Sequence, residues 1–238
     1  MEAESKIFEF MGLSFSVPVV ASTVVTCLLI LLFCMIATRN VAIRPTKLQN
    51  VFEYVMDFAK GIIEGALDWS VGKAYHLLIF TLFMFIFVAN TVGLIFYIHI
   101  GEYSYFSSPT ASPIVCLMLS LMIALIVQIS GVRRMGFKQY VHSSFLSPNK
   151  AMMPLKVIEE FTNVITLALR LYGNIFAGEV LLSLIVLFAS SMQPISWVLA
   201  MPLSLLWQGF SLAIGILQAF IFCTLSMVYI SHKVDHED

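Results

Sequence analysis

The sequence predicts an all-α polytopic membrane protein with five transmembrane helices and one interfacial amphipathic helix, the last two membrane helices being long and tilted as a hairpin. Three observations carry this reading. Hydrophobic residues make up 60% of the 238 and charged residues only 11%, a balance outside that of a soluble domain. The apolar residues gather into five runs, each long enough to cross a hydrocarbon layer of about 30 Å. Basic residues then cluster at alternate ends of those runs. With the N-terminus outside, eleven of the thirteen Lys and Arg fall in cytoplasmic segments, Lys6 alone falls outside and Arg170 lies within the membrane. The whole of 1–238 reads as a single membrane domain. The net charge of −1 gives no reason to expect a nucleic-acid partner.

Residues 1–16 are acidic, with Glu2, Glu4 and Glu9 against Lys6, and lack the basic opening of a secretory signal. The uncharged run 17–38 is the first span, and Arg39, Arg44 and Lys47 follow it on the cytoplasmic side. Segment 45–73 is too polar to cross. Leu48, Val51, Phe52, Val55, Met56, Ala59, Ile62, Ile63, Ala66 and Leu67 make one helical face, while Gln49, Asn50, Glu53, Asp57, Lys60, Glu64 and Asp68 make the other, so it is expected as an amphipathic helix on the cytoplasmic surface.

The second span is 74–98, with His76 at its inner end and Asn90 within it. An outer loop follows whose His99 and Glu102 are candidates for a water entrance, against the plainer reading of solvated loop residues. The third span, 113–132, ends at Arg133, Arg134 and Lys138, and its Gln128 reads as a packing contact or a polar site. Turn signals at Ser147-Pro148 and Met153-Pro154 precede the fourth helix, 154–190. A break near Ser190 to Pro194 separates it from the fifth, 195–231. Cys27, Cys34, Cys116 and Cys223 lie in apolar runs without metal-ligand spacing and read as small buried hydrophobes; no cofactor or metal is expected.

The candidate site centres on EEFTNVITLALRLYGNIFAGE, Glu159 to Glu179. Between Phe161 and His232 only Arg170 and Glu179 are charged. An Arg at mid-membrane costs about 2.5–3.5 kcal/mol even on the lenient insertion scale, which marks it as functional by default against a snorkelling or ion-paired alternative. Glu159, Asn163, Thr166, Arg170 and Asn174 recur at helical spacing, a polar stripe on one face. Glu179 falls on the opposite face and about 13.5 Å further along the axis, so the two charges read as separate polar routes. The last helix carries a second stripe, Ser204, Gln208, Ser211, Gly215 and Gln218, for which interhelical hydrogen bonding is the neutral explanation.

LALRLYGNIFAGE, preceded by IEEFTN and followed by LQAFIFCTLSMVYIS, resembles subunit a of the bacterial F-type ATP synthase, and the resemblance runs from RPTKLQN to the C-terminus. It implies the stator half of an ion channel, facing a ring of small c subunits and held by peripheral-stalk b subunits in a bacterial plasma membrane. By that resemblance Arg170 separates two aqueous half-channels. The outer route then runs near Glu179, Ser183 and the Ser211–Gln218 stripe, with Gln208 as a supporting group, and the inner one near Glu159, Glu160 and Asn163; Asn174 matches a family position, and the translocated ion is H⁺ or Na⁺. The chain itself would carry no catalytic site. Two departures stand out: Ser112, Pro113 and Ile114 replace an acidic or amide group, and Ser211 stands where some members have histidine.

Other classes fit less well. A secondary transporter should show an internal repeat, and no second copy of the Arg170 motif exists. An intramembrane enzyme needs a convergent nucleophile and base, yet the histidines lie at segment ends or in loops. A passive channel is poorly served by a fixed cation on its polar stripe.

Overall fold

The computed structural model describes residues 7–10, 13–39, 41–43, 45, 47–95, 99–100, 103–104, 108–142, 153–191 and 195–234. Lys6, Arg44, Glu102, Lys150, the Ser147-Pro148 turn and positions 192–194 of the expected break lie outside the described residues. Five helices are long and apolar enough to span a membrane. They are α1 (Val17–Thr38), α4 (His76–Ile95, continuous with shorter turns before it), α5 (Pro113–Met135), α7 (Met153–Ser191) and α8 (Ile195–Val234). The amphipathic α2 (Lys47–Glu64) packs on α1 and α4.

The amphipathic segment departs from the single helix expected over 45–73. α2 stops at Glu64, a short α3 (Trp69–Gly72) follows, and a 3-10 turn at Lys73–Tyr75 leads into α4. Local chemistry explains the interruption. Ser70 Oγ donates to Asp68 Oδ2 at 2.7 Å ahead of α3. Gly72 then comes so close to α2 that a Cβ there would lie 2.4 Å from Ile63 Cγ2. Two short antiparallel pairs were likewise not expected: β1 (Ile7–Phe10) with β2 (Leu13–Ser16), and β3 (His99–Ile100) with β4 (Tyr103–Ser104). They lie outside the helices and leave the helical class unchanged.

Burial follows membrane rather than aqueous logic. The buried positions of α1 are Pro18, Ser22, Thr26 and Ala37, while Val24, Leu28, Leu31 and Met35 are exposed. Small residues let backbones approach, and an apolar surround accepts the large aliphatic side chains. Thr26 Oγ1 satisfies itself on the Ser22 carbonyl at 2.8 Å.

The main core lies between α4 and α8, where Ile79, Phe83 and Ile86 meet Phe222, Cys223 and Met227. α7 and α8 form the most extensive pair, and three contacts fix their antiparallel register. Glu160 pairs with Lys233, Trp207 Nε1 donates to the Gly178 carbonyl at 3.2 Å, and Ser196 Oγ donates to the Ala189 carbonyl at 2.8 Å. At about 1.5 Å per residue, the 39 residues of α7 extend ~58 Å, nearly twice a hydrocarbon core, so a steep tilt and protrusion at the ends are both needed.

Candidate functional site

The helix α7 divides cleanly by face. Leu167, Ala168 and Leu171 are buried against the rest of the chain, whereas Glu159, Thr166 and Arg170 are exposed, in company with Leu169 and Phe176. The polar stripe is therefore turned outward, with Asn163 and Asn174 half-buried along it. Among the described residues the ion pairs are Lys60 with Glu64 and Lys233 with Glu160, so no carboxylate of the described chain neutralises Arg170.

A cavity of about 20 Å³, large enough for a water molecule, opens where α4, α7 and α8 meet, its walls mixing polar groups with Leu94, Ile175 and Leu182. Asn90, Ser108, Asn174, Glu179 and Ser211 line it. Gly93 in its wall comes so close to Ser108 that a Cβ there would lie 2.3 Å from Ser108 Cβ, and behind the wall a Cβ at Gly215 would lie 3.4 Å from Asn90 Cβ. A buried hydrogen-bond chain holds the back wall. Thr110 Oγ1 donates to Asn90 Oδ1 at 2.8 Å, and Asn90 Nδ2 donates to the Gly215 carbonyl at 3.4 Å. Ser108 Oγ reaches the Ala89 carbonyl at 3.1 Å and the Thr110 hydroxyl at 2.8 Å.

A second cavity, also about 20 Å³, lies toward the other end of α7 and is lined by Ser120, Glu160, Asn163 and Tyr229. Ser120 Oγ is committed to the Val164 carbonyl at 2.6 Å, which ties α5 to α7 there. Tyr229 stands within electrostatic reach of both Arg170 and Glu160. From Asn163 to Asn174 the rise along α7 is about 16 Å. Arg170 thus sits between two polar cavities at different depths and belongs to the lining of neither.

The structure brings Asn174, Glu179 and Ser211 together in the Glu179 cavity and places Asn163 in the Glu160 cavity. It separates others. Glu159 is exposed, and it is its neighbour Glu160 that lines the cavity. Gln208 is exposed and borders neither space. Gln218 is buried, and its Nε2 has no hydrogen-bond partner among the described residues. Ser112 only precedes α5 as its cap, and the polar groups of that region that reach the site are Ser108 and Thr110. Gln128 accepts a bond from the Tyr140 hydroxyl, and His76 Nε2 contacts the Met56 carbonyl at 3.0 Å.

Sequence reasoning assigned no role to Asn90, Ser108, Thr110 or Tyr229. The available signal was Asn90 itself, an amide inside an otherwise apolar span. Of the cysteines, Cys116 and Cys223 are buried, Cys34 is half-buried, and Cys27 is exposed rather than buried as expected.

A family model for the ATP synthase A chain matches residues 20–231. The ATP synthase subunit a of Listeria monocytogenes serotype 4b (strain CLIP80459) is 48% identical over 237 residues, covering 100% of both chains. Those of Enterococcus hirae (46% over 239 residues) and Anoxybacillus flavithermus (44% over 238 residues) are also covered in full, as is this chain.

Proposed function

The chain belongs to the ATP synthase subunit a family, and from that premise we propose that it is the stator of the ion path, with Arg170 as the fixed charge that couples ion flow to rotation. As a member it is a multi-pass membrane subunit of a multi-subunit complex and carries no catalytic site of its own. The observation that carries the reading is the placement of Arg170, exposed on α7 between two polar cavities and without a carboxylate among the described residues.

A guanidinium cannot lose its proton at any accessible pH, so Arg170 cannot relay one. Its charge instead attracts an ionised carboxylate carried past it on a ring of small c subunits, and it repels a cation moving directly from one cavity to the other. An ion arriving by the Glu179 cavity, past Asn174 and Ser211, neutralises a ring carboxylate. The neutral carboxyl then turns away through the lipid, and the ion leaves after nearly a full turn by the Glu160 cavity. By the distribution of basic residues, the Glu160 end faces the cytoplasm of a bacterial cell and the peripheral-stalk b subunits hold the chain against torque. A membrane potential supplies about 2.3 kcal/mol per charge per 100 mV, so several ions must pass for each ATP made elsewhere in the complex.

The test compares vesicles carrying wild-type complex with vesicles carrying Arg170→Ala. Gradient-driven ATP synthesis is expected to vanish with the complex still assembled, and passive ion leak is expected to rise. Near-normal synthesis in assembled Arg170→Ala complex would return Arg170 to a structural role.

A further inference from the structure

We propose that Lys233 is a positioning residue of the ion path, holding the Glu160 carboxylate at the mouth of its cavity through a clasp that draws four helices together. The inference rests on the reading of the Glu160 cavity as an ion route, and it adds to that route a residue that does not line it.

The clasp is built from contacts at one end of the bundle. Lys233 Nζ lies 2.6 Å from Glu160 Oε1, with the two side chains only 16% and 28% exposed. The same ammonium stands 5.7 Å from the centroid of the Tyr140 ring, whose π face favours a cation. Tyr140 is itself buried, in the short α6 (Phe137–Val141), and its hydroxyl donates to Gln128 Oε1 on α5. Gly131 on α5 lets that ring in. A Cβ at 131 would lie 2.5 Å from Tyr140 Cε2 and 3.4 Å from Lys233 Cβ. Gln128, Gly131, Tyr140, Glu160 and Lys233 therefore interlock across α5, α6, α7 and α8.

The chemistry of the pair distinguishes it from an ordinary surface ion pair. Glu160 lines the cavity with Asn163 and Tyr229 while its Oε1 lies 2.6 Å from the Lys233 ammonium. With Oε1 taken by Lys233, Oε2 is the oxygen left to receive an ion from the cavity. Removing Lys233 takes away the contact that fixes the partly buried Glu160 side chain, which then rotates away from the mouth of the cavity. Conduction then slows at this end of the path although Arg170 and the Glu179 cavity are intact.

The experiment uses membrane vesicles bearing the full complex and measures passive proton conductance after the catalytic sector is stripped, normalised to the amount of this subunit in the membrane. Lys233→Gln is expected to lower conductance about tenfold, the scale of losing a charged hydrogen bond. Lys233→Arg, which keeps the cation, is expected to stay within about twofold of wild type. Lys233→Gln combined with Glu160→Gln is expected to be no worse than Glu160→Gln alone, because Lys233 acts only through that carboxylate. Wild-type conductance per subunit in Lys233→Gln would overturn the proposal. So would a loss that merely tracks a lower amount of subunit, since that marks a structural tie. Arg170→Ala serves as the separate control. If it abolishes ATP synthesis while Lys233→Gln conducts normally, the clasp fails and the half-channel reading stands. If Arg170→Ala synthesises normally, the reading itself fails.

Discussion

The substitution Gly93→Ala adds one methyl group to the wall of the Glu179 cavity, against Ser108. The new Cβ would lie 2.3 Å from Ser108 Cβ, 2.7 Å from its Oγ and 3.1 Å from its Cα. Non-bonded carbons settle at about 3.5–4.0 Å, so Ser108 and α4 must part by roughly 1 Å. A change of rotamer cannot supply that shift, because the Cα and Cβ of Ser108 are fixed by its backbone. The movement pulls Ser108 from the Ala89 carbonyl and from Thr110, and it takes place at the wall of a cavity that admits about one water. Overpacking of this kind costs about 1–3 kcal/mol. If that strain falls on the hydrated state of the cavity, its occupancy drops about 5- to 150-fold. Passive proton conductance through the stripped membrane sector reads the drop, with subunit content measured in parallel. Gly61→Ala is the control, since nothing lies within 4 Å of its added Cβ, and it is expected to be neutral or stabilising by up to about 1 kcal/mol. Conductance within about twofold of wild type in assembled Gly93→Ala would refute the assignment of this cavity as the narrow part of an ion route.

Two further substitutions separate stability from conduction. Gln218→Leu removes a buried amide nitrogen that has no partner among the described residues, so the melting temperature of the purified complex is expected to hold or rise while ATP synthesis falls. A lower melting temperature with unchanged synthesis would make Gln218 a packing residue. Ser196→Ala deletes the 2.8 Å bond to the Ala189 carbonyl between α7 and α8, at a cost of about 1 kcal/mol. That is expected to show as faster proteolytic nicking near the α7–α8 connection with conductance unchanged, and wild-type nicking rates would show the bond to be dispensable.

What could be read from the sequence tracks the strength of the physical constraint behind each feature. Lipid permits no unpaired backbone, so the five membrane helices announce themselves as long apolar runs. Helical periodicity likewise puts Asn174 on the Arg170 stripe and Ser211 on the stripe of the last helix, and charge in an apolar run singles out Glu179, but their meeting in one cavity follows from packing that periodicity does not give. Periodicity says nothing of depth. Gln208 and Gln218 belong to one stripe, yet the first is exposed and the second buried, because α4 covers only the later turns of α8. Neighbours on a helix differ by about 100°, enough to send Glu159 outward and Glu160 into the cavity. Asn90, Ser108 and Thr110 converge only through the register of α4 against α8 and of the Pro109–Ala111 turn against α4, contacts distant in the sequence. The early end of α2 has the same origin, since Gly72 must meet Ile63 across a turn.

The unequal burial of α8 gives the subunit a mechanical character. Phe222, Cys223, Met227 and Ile230 are fully enclosed toward its C-terminal end, while Trp197, Val198, Leu199 and Met201 near its start lie open. The α7–α8 hairpin is thus a beam clamped at one end, with its tip braced mainly by the small cluster of Ile185, Ala189 and Ala200. Load applied at Arg170 would be borne at the clamped end and felt as bending toward the tip. Hydrogen exchange should follow the same gradient, slowest around Met227 and fastest near Trp197, so that elastic compliance is concentrated in the half of the hairpin beyond the Glu179 cavity.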